Sequence, residues 1–429
     1  MSIRAGSALA RRLASFAATV GASTVVSLVT VPLIIGRTSA QAWGELAVVQ
    51  TGAILFGVLV AFGWGTTGAA TVAGTPAASR PRLYVESLVT RGYLFAFTLP
   101  VMIGVMLVVS PANPGVVVTG SIAYLLPYAG ASWYFIGEAR PARLFFFDAL
   151  PQMIGVLMGF LVLNQTGDLT HFLLLLAVMT LVGVGVSGRV ILRGLRPGDR
   201  VDLSLGAAWR RLAAQRHGVI TAATTSLYVS LPLLAVSAAI PASTPLYAMG
   251  DKLFRFGLVA FSPVLQAIQS WVPEGGAEFI THRVRRAALF GPLFGLAGGA
   301  GITVASPRIA DVLSHGEIRL SLLQALPFGL MFTVVACTQI IGLACLVAMN
   351  ASKALAVSTV MGAVAGVPLI VGAALFLDVW SVAWAVVVSE VVVLAYQVKI
   401  LSHRAAGRQG QGSLSRGHRP PRESAASGD

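Results

Sequence analysis

Asp251, Lys252 and Arg255 stand inside an otherwise apolar run, Pro245 to Pro273, that reads as long and apolar enough to cross a bilayer. On a helix of 3.6 residues per turn, Asp251, Arg255, Ser262, Gln266 and Gln269 return to one stripe, while Leu253, Phe254, Phe256, Val259 and Phe261 mostly take the other faces. At about 1.5 Å per residue the stripe runs for roughly 27 Å, close to the whole hydrocarbon thickness. Charges at that depth cost about 2.5 to 3.5 kcal/mol each on insertion scales, so such a track is expected to face protein or water and to mark a pathway or a site. Lys252 and Arg255 supply positive charge for an anionic group, and Asp251, four residues before Arg255, can neutralise one unit of it. Snorkelling to the headgroups would explain the two cations, but it would not require Ser262, Gln266 and Gln269 to align beneath them.

A second candidate is Glu390, near the middle of the last apolar run. A carboxylate at mid-depth can bind Na⁺ or carry a proton; the competing reading is a protonated acid hydrogen-bonded to a neighbouring helix. Trp64, Tyr228 and Tyr247 have the rings to stack on sugar, although packing and interfacial belts claim most such residues. Glu86 with Arg91, Glu138 with Arg140, and Asp148 with Arg143 lie near basic helix ends and read as interfacial anchors or gate pairs. Cys337 and Cys345 are too far apart along a helix to bridge each other. No Cys/His cluster has metal-ligand spacing and the histidines are dispersed, so neither a cofactor nor an enzymatic constellation is expected.

The elements that position these residues follow from composition. With 56% hydrophobic and 11% charged residues and a mean hydropathy of +0.81, the chain reads as a polytopic membrane protein. The net charge of +14 is spread over short clusters between apolar runs, which argues against nucleic acid and for cytoplasmic loops. Apolar runs fall at about 13–35, 44–74, 88–110, 115–137, 144–164, 170–192, 217–240, 246–272, 288–306, 321–348, 354–377 and 379–401, which predicts about twelve transmembrane helices. Arginines crowd alternate connections, placing both termini in the cytoplasm by the positive-inside rule. The preference for Arg over Lys points to a GC-rich bacterial source, hence to the bacterial cytoplasmic (inner) membrane.

The two halves echo each other. Val31-Pro32-Leu33 matches Leu231-Pro232-Leu233, and Leu46-Ala47 matches Tyr247-Ala248, at a common offset of about 200 residues. The organisation expected is a six-helix lobe over 1–193, a cytoplasmic linker over 194–216, a second six-helix lobe over 217–401, and a disordered basic tail over 402–429.

Three stretches carry a family resemblance. Trp43-Gly44-Glu45-Leu46-Ala47, Leu246-Tyr247-Ala248-Met249-Gly250-Asp251-Lys252-Leu253 with Pro273 closing its helix, and Val312-Leu313-Ser314-His315-Gly316-Glu317 are similar to motifs of the polysaccharide repeat-unit flippases. These belong to the multidrug, oligosaccharidyl-lipid and polysaccharide exporter (MOP) superfamily. The last stretch lacks the family's closing aromatic. The resemblance implies an all-α integral membrane protein with two six-helix lobes around a central cavity, open alternately to either side. It implies a transporter, not an enzyme, whose cargo is a lipid-linked oligosaccharide on polyprenyl pyrophosphate. Its substrate-binding residues would be Lys252, Arg255, Asp251, Gln266, Gln269 and Tyr247, with Arg37 or Arg91 contributing further charge, and Glu390 would couple transport to Na⁺ or H⁺. The alternative is a cation-coupled drug or metabolite antiporter of the same superfamily.

Overall fold

The computed structural model describes residues 21–110, 113–195, 202, 204–273, 276–349 and 351–416, and these are all-α. In chain order the helices are α1 (Gly21–Ile35), α2 (Ala40–Ala61), α3 (Trp64–Gly74), α4 (Arg80–Val109), α5 (Pro114–Leu125), α6 (Ser132–Gly137), α7 (Pro141–Leu144), α8 (Leu150–Thr166), α9 (Leu169–Leu192), α10 (Leu205–Ala239), α11 (Thr244–Trp271), α12 (Gly276–Leu313), α13 (Leu322–Gln339), α14 (Ser352–Phe376) and α15 (Val379–Arg416). Two short π-helical segments interrupt them, Phe145–Ala149 before α8 and Ile340–Leu346 after α13.

Among the described residues, ten helical stretches are long and apolar enough to cross a membrane. The chain is therefore a multi-pass membrane protein. α11 has the length, with 28 residues, but is not among those ten. Its polar stripe lowers its hydropathy and makes it a strongly amphipathic helix. Prolines stand inside α4, α10, α11, α13 and α14. Each removes a backbone donor, a defect that membrane helices tolerate when neighbouring groups satisfy the freed carbonyl.

Other boundaries differ from the hydropathy pattern. The run 44–74 breaks at Phe62 and Gly63, whose φ values of 35° and 81° are left-handed and end α2 before α3 begins. The connection 194–216 contains the opening turns of α10, capped where Ser204 accepts from the Ala207 N–H at 3.2 Å. The stretch 402–416 continues α15, where composition predicts disorder; Ala405, Ala406, Arg408 and Gln409 are good helix formers that extend the preceding span. Residues 1–20 and 417–429, and with them the N-terminal basic segment and the end of the tail, lie outside the described residues.

The chain divides into two compact units, one within Met1–Leu253, Val304–Ala325 and Val367–Ala383, the other within Phe254–Thr303, Leu326–Gly366 and Trp384–Asp429. The first buries an aromatic core of Trp64, Tyr84, Trp133, Tyr134 and Phe135. In the second, Gly295, Gly298 and Gly299 of α12 let α13 approach: a Cβ on Gly299 would meet the Gly329 carbonyl oxygen, and one on Gly298 would enter the Phe332 ring. Close helix packing thus accounts for this glycine-rich run.

Candidate functional site

Within the first unit, all three motif stretches converge on the start of α2. Ser39 caps that helix, its hydroxyl accepting from the Ala42 N–H at 3.1 Å. Glu317, from the loop after α12, accepts from the Ala40 N–H at 2.7 Å. His315, at φ 52°, places Nε2 3.1 Å from the Pro32 carbonyl oxygen. The start of α11 crosses at Gly44, where a Cβ would stand 2.9 Å from both N and Cα of Pro245. Only glycine permits that approach. Next to it, the Lys252 ammonium lies over the Trp43 ring, 5.9 Å from its centroid.

Along α11, Leu253, Phe254, Phe261 and Leu265 are buried. Asp251, Lys252, Arg255, Ser262 and Gln269 are half-buried and Gln266 is exposed. The polar stripe therefore runs half-buried along one flank of the helix, between the packed side of Leu253, Phe254, Phe261 and Leu265 and an exposed side that carries Val259, Ala260, Pro263 and Ala267. Ser262 is committed locally, donating to the Val259 carbonyl at 2.8 Å. Tyr247 is 1% exposed, its ring packed inside the protein. Tyr228 is buried as well, and Glu390 is half-buried in α15. Arg37 is exposed.

The first unit also holds a cavity of about 300 Å³, lined by Trp64, Arg91, Tyr128, Gly130, Trp133 and Asp148 among others. Helix breaks surround it. α2 breaks at Phe62, the helix after Leu125 tightens into a 3₁₀ turn and opens at Gly130, and Asp148 sits in the π-helical segment Phe145–Ala149. Irregular backbone at membrane depth survives where protein satisfies it or a cavity borders it. Arg91 does the satisfying: Nη1 donates to the carbonyls of Gly130 at 2.6 Å and Tyr128 at 3.2 Å, and Nε donates to the Ser87 hydroxyl at 2.8 Å. Its guanidinium lies 5.4 Å from the Trp133 ring centroid.

Two donors remain unused there. Arg91 Nη2 and Trp133 Nε1 are buried and have no hydrogen-bond partner among the described residues. Both residues line the cavity together with the Asp148 carboxylate, so its wall offers two unused donors beside an acidic acceptor, a setting that suits ordered water or a polar ligand group.

These positions bear out one of the acidic pairs, Glu138 with Arg140, and correct the other two. Glu86 bonds Arg82 at 3.2 Å, one turn away, and not Arg91, which at 1% exposure is buried away from any interface. Among the described residues Asp148 forms no ion pair with Arg143; instead Arg143 and Arg140 approach Glu138 at 3.5 and 3.8 Å. Sequence reasoning names Arg91 as an extra cation and Asp148 as half of a gate pair, but that the two line one cavity depends on a helix break between 126 and 130 that hydropathy does not register.

No protein-family model matches the chain, and no curated protein matches it. Solved structures do. The lipid II flippase MurJ, in an inward closed conformation, superposes with a TM-score of 0.67 at 11% identity, covering 90% of this chain and 87% of that one. An inward-facing multidrug resistance MATE family transporter of the MOP superfamily gives 0.59 at 13% identity, covering 89% and 95%. A mutant of the Vibrio cholerae MATE transporter VcmN gives 0.55 at 15% identity, covering 94% and 98%. The chain shares the fold of these structures. Among the described residues no group of three or more His, Cys, Asp or Glu is placed to hold a metal ion.

Proposed function

We propose that the chain is an alternating-access transporter, not an enzyme, that exports an amphiphilic organic cargo across the bacterial cytoplasmic membrane. The observation that carries this reading is the half-buried polar stripe of α11, a helix of spanning length beside ten apolar spans among the described residues. A stripe of that kind is stable in a bilayer only when it borders water, cargo or protein. Lys252, Arg255, Asp251, Gln266 and Gln269 are the residues that meet the cargo, and Glu390 binds the coupling Na⁺ or proton.

Two cargo classes fit the fold. Cation-coupled antiport of a drug or metabolite has the wider support, because most of the similar structures are MATE transporters, described in part as multidrug resistance proteins. Flipping of a polyprenyl-pyrophosphate-linked oligosaccharide has a specific observation in its favour: the functional cations are Lys252, Arg255 and the deeply buried Arg91, which suit an anionic headgroup better than a cationic drug. Proteoliposomes separate them. Ion-gradient-driven movement of a cationic dye without movement of lipid-linked saccharide supports the antiporter, the reverse supports the flippase, and movement of neither rejects the transport reading.

A further inference from the structure

We infer that a cleft between α4 and α9 in the first unit holds the headgroup of one anionic phospholipid. The cleft measures about 740 Å³, and its lining includes Tyr84 and Leu88 from α4 with Gly185, Gly188, Arg189 and Arg193 from α9 and its C-cap. The two glycines make the opening. A Cβ on Gly185 would meet nothing within 4 Å, and one on Gly188 would meet only the Tyr84 hydroxyl, at 3.6 Å. That hydroxyl belongs to a fully buried residue, has no hydrogen-bond partner among the described residues, and sits at the cleft floor behind Gly188.

Arg189 and Arg193 stand four apart on one face, both exposed. Neither forms an ion pair among the described residues. Like charges at this spacing repel. A helix C-terminus favours a cation, which explains having charge there, but it does not explain a cleft beside the charge with an unused donor in its floor. Exposed Val182 and Val186 precede the two arginines on the same helix. Acyl chains against such valines and a phosphate between two guanidiniums give charge complementarity along one surface, as expected of basic pockets between spans that take anionic headgroups.

The test uses the full chain purified in detergent, with phosphatidylglycerol and phosphatidylcholine as probes and native mass spectrometry as readout; no transport is involved, so the result is independent of the cargo. The wild type is expected to retain one phosphatidylglycerol in preference to phosphatidylcholine. Arg189→Gln with Arg193→Gln should weaken retention about thirtyfold, the loss of two surface cations. Gly185→Leu, which has room to fold, should weaken it also, by filling the cleft without changing charge. Unchanged retention in either variant overturns the inference. So does equal retention of phosphatidylcholine, or displacement by free glycerol phosphate at matched concentration, which would mark a site for a free anion.

Discussion

The two π-helical segments are the same backbone defect resolved in opposite ways. Phe145–Ala149, in the first unit, carries Asp148 and borders a cavity with a buried guanidinium and two unused donors. Ile340–Leu346, in the second unit, is closely packed: Ile340, Ile341, Ala344, Cys345 and Leu346 are buried, Gly342 packs against Leu355 and Gln397, and Leu343 is its one exposed residue. Its polar neighbours are neutral: Gln397 Nε2 donates to the Ser358 hydroxyl at 3.1 Å and Ser358 to the Leu355 carbonyl at 2.7 Å, and only Gln397 Oε1 is without a partner among the described residues there. A π-helical turn by itself therefore does not make a site. Charge and empty volume next to it do.

Truncation at the two segments should break them unequally. Arg91→Leu strands the carbonyls of Tyr128 and Gly130 in the interior, and at about 1 to 3 kcal/mol for each orphaned acceptor the loss should be about 2 to 6 kcal/mol. Gln397→Leu leaves Ser358 bonded to Leu355 and should cost about 1 kcal/mol. Thermal unfolding in detergent reads both, and equal losses would remove the distinction between a charged and a neutral defect. Glycine replacement sharpens it at smaller scale. A Cβ on Gly130 would meet the Pro127 carbonyl oxygen at 2.8 Å, rigid backbone, so Gly130→Ala should cost about 1 to 3 kcal/mol. A Cβ on Gly342 meets the side-chain ends of Leu355 at 2.7 Å and Gln397 at 3.1 Å, which can turn aside, so Gly342→Ala should cost under about 1 kcal/mol.

The smallest effect lies away from both segments and serves as a control. Asp168 and Asp378 precede α9 and α15. Asp168 is held below the usual carboxylate range chiefly by the Thr170 N–H, and Asp378 chiefly by Ser381. A depressed pKa contributes stability above the unfolded value of about 3.9 that is lost as pH falls through the folded value. Both side chains reach solvent, so water screens the gain. Asp168→Asn and Asp378→Asn should flatten the acid limb of the unfolding curve slightly and leave neutral stability nearly unchanged. A large loss at neutral pH would contradict that account.

Much of the fold was legible because bilayer helices declare themselves by length and apolarity, and the α11 stripe because helical periodicity places Asp251 and Arg255 on one face. The break at Phe62–Gly63 was not, since no charged residue or proline marks it between Glu45 and Gly74. Arg91 looked like an interfacial anchor because sequence distance to the basic end of α4 is short, whereas its partners, Tyr128 and Gly130, come from a turn about forty residues away. The motif stretches were legible one by one; that Gly44 meets Pro245 and that Glu317 caps α2 required the fold.

The central claim is that Lys252 and Arg255 face the cargo path. Single cysteines at 252 and 255, in a Cys337→Ala, Cys345→Ala background, can be probed with a membrane-impermeant thiol reagent with and without saturating cargo. The account predicts labelling by the aqueous reagent at both positions, protection of both by cargo, and transport lowered about ten- to a hundredfold in Lys252→Ala and Arg255→Ala. Labelling only by lipid-phase reagents, with transport at the wild-type rate in both alanine variants, would show that the two cations merely snorkel to the headgroups.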